Sequence, residues 1–155
     1  MQQPCRRRFN LVLLALWCGG CSSIDDAVRA SRSPTFRLVD LELSERDART
    51  AEADLRVAIS NPNAWQIAID TIDYDVVING TRLGTAVGGR DVFIGAGNER
   101  EVRLRLAYPN DDRLRSLLER TPPRGVGYRI TGTAKVVGVG VDRVPFALEG
   151  TWHTS

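Results

Sequence analysis

From Thr35 onward, apolar residues return at every second position, run after run. Phe36 and Leu38 alternate with Arg37 and Val39, and Leu41 and Leu43 continue after a one-residue slip at Asp40. Leu55, Val57 and Ile59 alternate with Arg56, Ala58 and Ser60. Ile67 and Ile69 lead, across a second slip at Asp70-Thr71, into Ile72, Tyr74, Val76 and Ile78. Val102, Leu104, Leu106 and Tyr108 alternate with Arg103, Arg105 and Ala107. Tyr128, Ile130, Gly132, Ala134 and Val136 alternate with Arg129, Thr131, Thr133 and Lys135, and Val144, Phe146, Leu148 and Trp152 close the pattern. One apolar and one polar face per run predicts antiparallel strands half-buried against a second layer. A one-residue slip within a continuing strand predicts a β-bulge.

Turn chemistry lies between these runs. Asn79-Gly80 is a strong hairpin signal, because a type I′ turn needs positive φ at both central residues. Gly88-Gly89, Gly95-Ala96-Gly97-Asn98 and Gly138-Val139-Gly140 mark further connections. One segment leaves the period of two. Asn110-Asp111-Asp112 can cap a helix, Leu114, Leu117 and Leu118 share a face, and Thr121-Pro122-Pro123 ends it. About seven strands with one short helix near 110–120 predict an all-β fold, an immunoglobulin-like or fibronectin-III-like antiparallel sandwich.

The first 23 residues follow different rules. Arg6, Arg7 and Arg8 precede an apolar run from Leu11 to Trp17, and Cys18-Gly19-Gly20-Cys21 follows. A charged start, a short apolar stretch and small residues before a cut site mark a secretory signal. The run is far shorter than the ~20 residues of a membrane-spanning helix. Cys21 directly after two glycines resembles the lipobox of bacterial lipoproteins, although Cys18 stands where that pattern prefers Leu. The resemblance implies that residues 1–20 are removed and that Cys21 is acylated, tying the chain to a membrane. Ser22 after it resembles the sorting rule for the outer membrane, which implies a periplasm-facing position in the bacterial envelope. An ordinary cleaved signal with a free thiol is the alternative. Residues 21–33, small and charged, read as a tether, and 34–153 as a single domain.

Composition then narrows the partners. All three cysteines, Cys5, Cys18 and Cys21, fall in or at the end of the leader, so no internal disulfide is expected in the mature chain. Losing Arg6, Arg7 and Arg8 reduces 21 basic residues to 18 against 19 acidic ones. A near-neutral domain with interspersed signs has no electrostatic footprint for nucleic acid.

The middle of the chain carries a more specific resemblance. Leu55-Arg-Val-Ala-Ile-Ser-Asn-Pro-Asn63, Ile67-x-Ile69, Ile72-x-Tyr74 and Val77-Ile-Asn-Gly80 resemble the late embryogenesis abundant type 2 family, whose module is the water stress and hypersensitive response domain. Tyr128-Arg-Ile-Thr-Gly132 and Val144-Pro-Phe146 match its second half. The resemblance spans roughly Phe36 to Trp152, and implies a seven-stranded sandwich with a helix and a non-catalytic role under water stress. Asn61, Pro62, Asn63, Tyr74, Asn79 and Gly80 are its motif positions. Read physically, Asn61-Pro62-Asn63 is a fixed corner between strands, since Pro cannot donate to a ladder and Asn bonds nearby backbone. A polar contact surface beside Trp65 is the other reading. Trp65 is expected to cover the core and Trp152 to lie within it.

No constellation for chemistry stands out. His153 is the single histidine and lies near the end of the sequence. Zinc or iron ligation is therefore not expected, nor is a Ser–His–Asp arrangement. Asp70, Asp73 and Asp75 alternate with Ile72, Tyr74 and Val76, which suits a solvated strand face better than a calcium loop. Gly127 to Lys135 lacks the order of a phosphate loop. Asn79-Gly80-Thr81 fits a glycosylation sequon, but the hairpin accounts for it. Arg100, Arg103 and Arg105, with Glu99 and Glu101, read as the wet side of a strand, with a partner-binding basic stripe as the sharper option. Two roles remain: an envelope protein protecting against desiccation, or a periplasmic module that recognises a protein, lipid or cell-wall partner. No enzyme activity and no cofactor are expected.

Overall fold

The computed structural model describes residues 31–111 and 125–153. Eight strands follow in order: β1 (Thr35–Glu45), β2 (Thr50–Ser60), β3 (Ile67–Ile78), β4 (Thr81–Gly88), β5 (Val92–Ile94), β6 (Glu99–Pro109), β7 (Val126–Val137) and β8 (Arg143–Trp152). All pairings are antiparallel. One sheet has the order β1-β2-β6, and the other β4-β3-β7-β8 with β5 also on β3. No helix occurs among the described residues, and the one expected near 110–120 lies mostly outside them.

The expected strand number rises from seven to eight because of β5. It pairs with Ile67–Ile69 while β4 pairs with Ile72–Ile78, so the two share one edge of β3. The break between them passes through Gly89 and Asp91, both with positive φ (61° and 54°). A Cβ at Gly89 would lie 2.7 Å from Ile72 Cδ1, so this stretch needs glycine for both φ and space. Both phase slips are register shifts in the ladders. One lies between Leu38 and Asp40 of β1, the other between Ile69 and Thr71 of β3.

The core forms where the apolar faces of the two sheets meet. Leu55, Val57 and Ile59 of β2 and Val102 and Leu104 of β6 pack with Ile69, Ile72, Val76 and Ile130 of the other sheet. Each such side chain contributes about 1.5–3 kcal/mol on burial. β2 begins five residues before Leu55, and Ala51 and Ala53 line the core there. Tyr74 crosses between layers, its Oη donating to the Arg105 carbonyl at 2.7 Å. At the β1–β8 side, Phe36 stacks on Phe146 with ring centroids 4.6 Å apart. Phe146 also covers Gly132, its direct partner on β7, and Tyr128 covers Gly150 in the same way. A Cβ at Gly132 would meet the Asp73 carbonyl at 2.4 Å and the Phe146 ring at 2.6 Å, so the backbone there tolerates only glycine.

Candidate functional site

The most elaborate polar construction in the described residues is the Asn61-Pro62-Asn63 corner between β2 and β3. Pro62 is exposed, while Asn61 and Asn63 are buried. Asn61 Nδ2 donates to the carbonyls of Trp65 (2.7 Å), Gly95 (3.0 Å) and Ile94 (3.1 Å). Its Oδ1 accepts from the backbone N–H and the Nδ2 of Asn63, both at 3.0 Å. Asn63 in turn grips the segment before β1: its Oδ1 accepts from Arg32 N and its Nδ2 donates to Arg32 O, each at 2.8 Å. Backbone bonds from Asn61 N to Asn98 O and from Gly97 N to Asn63 O join the β5–β6 turn to the same knot. Two side chains thereby fasten three distant segments, and none of their buried polar atoms lacks a partner.

Trp65 follows the corner, half-buried against the core, and its Nε1 donates to Gly138 O at 2.6 Å. Gly140 N in the same β7–β8 turn donates to Ser31 Oγ at 2.7 Å. The corner, the β5–β6 turn, the β7–β8 turn and the lead-in at Ser31-Arg32 therefore share one end of the sandwich. Asn79-Gly80 stands at the other end with φ of 47° and 79°, the signs of a type I′ turn. Asn79 Oδ1 accepts from Gly127 N at 2.9 Å, and Asn79 N donates to Gly127 O at 2.8 Å. Trp152, at that same end, is half-buried and not the fully enclosed core residue expected of it. It packs against the margin of the core.

The charged candidates are absorbed into the sheet faces. Asp70 pairs with Lys135 Nζ at 2.6 Å and Asp75 with Arg82 Nε at 2.7 Å, while Asp73 is exposed. No group of three or more His, Cys, Asp or Glu suited to a metal is found among the described residues. On the outer face of the three-stranded sheet, Arg103 and Arg105 both lie 3.3 Å from Asp54, Arg56 lies 2.6 Å from Asp40, and Arg37 lies 2.9 Å from Glu99. The row of arginines is thus a two-sign lattice, not a basic stripe. The Ser60 hydroxyl, at 2.7 Å, and then Arg37 hold the Glu99 carboxyl below its usual range. Burial, reinforced by the Asp54 charge, pushes the Tyr74 phenol up to about 12. Burial likewise raises Tyr108.

Two hollows accompany these features. One of about 440 Å³, at the Asn79-Gly80 end, is lined by Thr81, Leu83, Tyr108 and Pro109. The other, about 380 Å³ and shallow, lies on the outer face of the larger sheet among Asp73, Asp75, Thr131 and Thr133. His153 follows β8 at the far end, and Cys21 lies outside the described residues. No described helix is long and apolar enough to cross a membrane.

An all-β, two-sheet domain organised by a buried asparagine corner is the class these features define. The family model for late embryogenesis abundant proteins, LEA_2, matches residues 56–150, and the chain belongs to that family. An uncharacterised protein of the archaeon Methanocaldococcus jannaschii, MJ1138, is 25% identical over 93 residues, which are 60% of this chain and 44% of that protein. The chain thus spans less than half the length of that relative. The solution structure of AT1g01470 from Arabidopsis thaliana is similar, with TM-score 0.59 at 15% identity over 81% of this chain and 88% of that one. That of the late embryogenesis abundant protein At2g46140.1 has TM-score 0.51 at 14% identity, covering 82% and 80%. At these identities the likeness to the solved structures shows the fold alone.

Proposed function

We propose that this chain is a non-catalytic LEA_2 protein of the bacterial cell envelope. It is anchored by lipid on Cys21, faces the periplasm from the outer membrane, and protects envelope components when water is scarce. Its architecture is read as the fibronectin-III variant of the immunoglobulin-like sandwich. In the constant-type immunoglobulin arrangement the first sheet carries a fourth strand, whereas here that strand, β4, joins β3 in the second sheet. A folded body of this kind cannot act as a solvated coil, so protection comes from a fixed surface.

One observation carries the anchored reading. Cys21 stands directly after Gly19-Gly20 and a short apolar run led by Arg6, Arg7 and Arg8, and Asn63 and Gly140 hold Arg32 and Ser31 at one end of the domain, which suits a tether starting there. Mass analysis of the mature N-terminus is the test. An acylated Cys21 as first residue is expected, and a bare thiol refutes the anchor. For the protective role, a labile enzyme is dried beside the full chain or an equal mass of an unrelated sandwich protein. Higher recovery with this chain is expected. Equal recovery leaves the second reading, a periplasmic binding module, which the exposed Phe93 and Val137 favour.

A further inference from the structure

We propose that the Asn61 end of the sandwich docks on the membrane, with Phe93, Val137 and Val141 seated in the lipid interface. The inference rests on the anchored reading above and adds to it an orientation and a contact surface. Phe93 and Val137 flank Ala68 directly in the ladder and project from the outer face of the larger sheet. They are 53% and 59% exposed, and Val141 in the β7–β8 turn is 54% exposed. Exposed apolar side chains grouped across one strand in this way point to an interaction surface. Three of the four large apolar residues most exposed among the described residues lie at this one end.

The exit point of the chain names the occupant. Ser31 and Arg32 are bonded to Gly140 and Asn63, within this same end. The ten residue steps from Ser31 back to Cys21 reach at most about 35 Å when fully extended. β3 alone, 12 residues long, spans about 36 Å at ~3.3 Å per residue. A tether of that length brings the Asn79-Gly80 end onto the bilayer to which Cys21 is fixed only when drawn out almost straight, but it places Val141 there without strain. Charge agrees. Arg32, Arg90, Arg100 and Arg143 are exposed at or near this end against Asp91, Glu101 and Asp142, while Glu99 and Asp70 are already paired with Arg37 and Lys135. An apolar tip in a basic surround suits a bilayer containing anionic phospholipid.

The mature chain carries its own reporters, because Trp65 sits at the docking end and Trp152 at the other. The full acylated chain is placed in vesicles of zwitterionic and anionic phospholipid carrying doxyl-labelled acyl chains. In Trp152→Phe, where Trp65 reports, emission shifts to the blue and falls by roughly half, as expected for groups about 5–10 Å into the interface. In Trp65→Phe, where Trp152 reports, emission is unchanged. Adding Val137→Asp and Val141→Asp to Trp152→Phe abolishes the quenching, with the thermal midpoint held because both positions are exposed. Equal quenching of both tryptophans, or quenching that survives the double aspartate change, overturns the proposal. So does a blue shift that appears on self-association without vesicles, since a second copy is then the occupant. The mass of the N-terminus separates the two readings. An acylated Cys21 with an unquenched Trp65 refutes docking alone, and a bare thiol refutes the anchor and the orientation together.

Discussion

Two asparagine turns stand at opposite ends of this molecule and use the same residue type for different physical ends. At Asn79-Gly80 the requirement is conformational, positive φ at two successive residues, and the side chain reaches one neighbouring strand at Gly127. At Asn61-Pro62-Asn63 the requirement is polar satisfaction in a dry place. Asn61 alone serves the carbonyls of Trp65, Ile94 and Gly95 and two donors of Asn63. The comparison teaches that a turn residue's weight follows the number of buried partners it leaves behind when removed. Unmade hydrogen bonds of buried groups cost far more than made ones contribute.

The largest expected effect breaks the comparison at its heavier side. Asn61→Ala strands three carbonyls and uncouples Asn63, and a loss of roughly 3–4 kcal/mol is expected from denaturant midpoints. Asn63→Ala releases Arg32 and is expected to cost about 2 kcal/mol by the same measurement. If Asn61→Ala falls within the range of Gly80→Ala, the corner is no more than a turn.

Much of this was legible in the chain, and the failures have physical causes. The two bulges are readable because a period of two has only two phases, so a slip at Asp40 or Asp70 changes the face of everything after it. Asn79-Gly80 is readable because its demand is local. β5 is not, because its three residues give no period and sit among glycines. The first half of β2 escapes because its inward residues are Ala51 and Ala53, too small to stand out from a loop. The corner is readable as a corner, but its partners, Arg32, Ile94 and Gly95, lie more than 30 residues away along the chain. Only the closed sandwich brings them within reach. Trp152 misleads because an inward phase at a strand's last residue points past the core.

Between the two ends, Tyr74 measures what one buried polar group is worth at mid-sandwich. The fold favours its protonated form, raising the phenol from 10.0 to about 12. The unfolded chain therefore ionises first. Stability is fully present below pH 10 and declines as pH climbs towards 12, by about 2–3 kcal/mol. Tyr108 acts in the same sense. Tyr74→Phe is expected to remove most of that alkaline decline. At neutral pH it costs about 1–2 kcal/mol, because the Arg105 carbonyl loses its donor. Chemical denaturation at pH 7 and at steps from pH 9 to 12 checks both. An unchanged alkaline slope in the variant would assign the decline elsewhere.

The lighter side of the comparison is sharpened by Gly80→Ala. A Cβ there meets nothing within 4 Å, so the effect isolates the left-handed φ of 79° from any crowding. About 1 kcal/mol is expected, and Gly80→Asn should recover part of it because Asn tolerates that region.

Smallest of all is the outer lattice of the three-stranded sheet, where neither conformation nor burial is at stake. Arg103→Gln removes a pair 3.3 Å from Asp54, but the arginine side chain is 57% exposed and Arg105 remains on the same carboxylate. Exposed pairs are worth between nothing and about 1 kcal/mol and are screened by salt. The expected change is under about 0.5 kcal/mol in low salt and vanishes near 1 M NaCl, followed by denaturant midpoints at both salts. A loss that persists at high salt would mean that the arginine stem, packed along the sheet, matters more than its charge. The outer face would then belong with the corner, among features held by contact, and not with the hairpin.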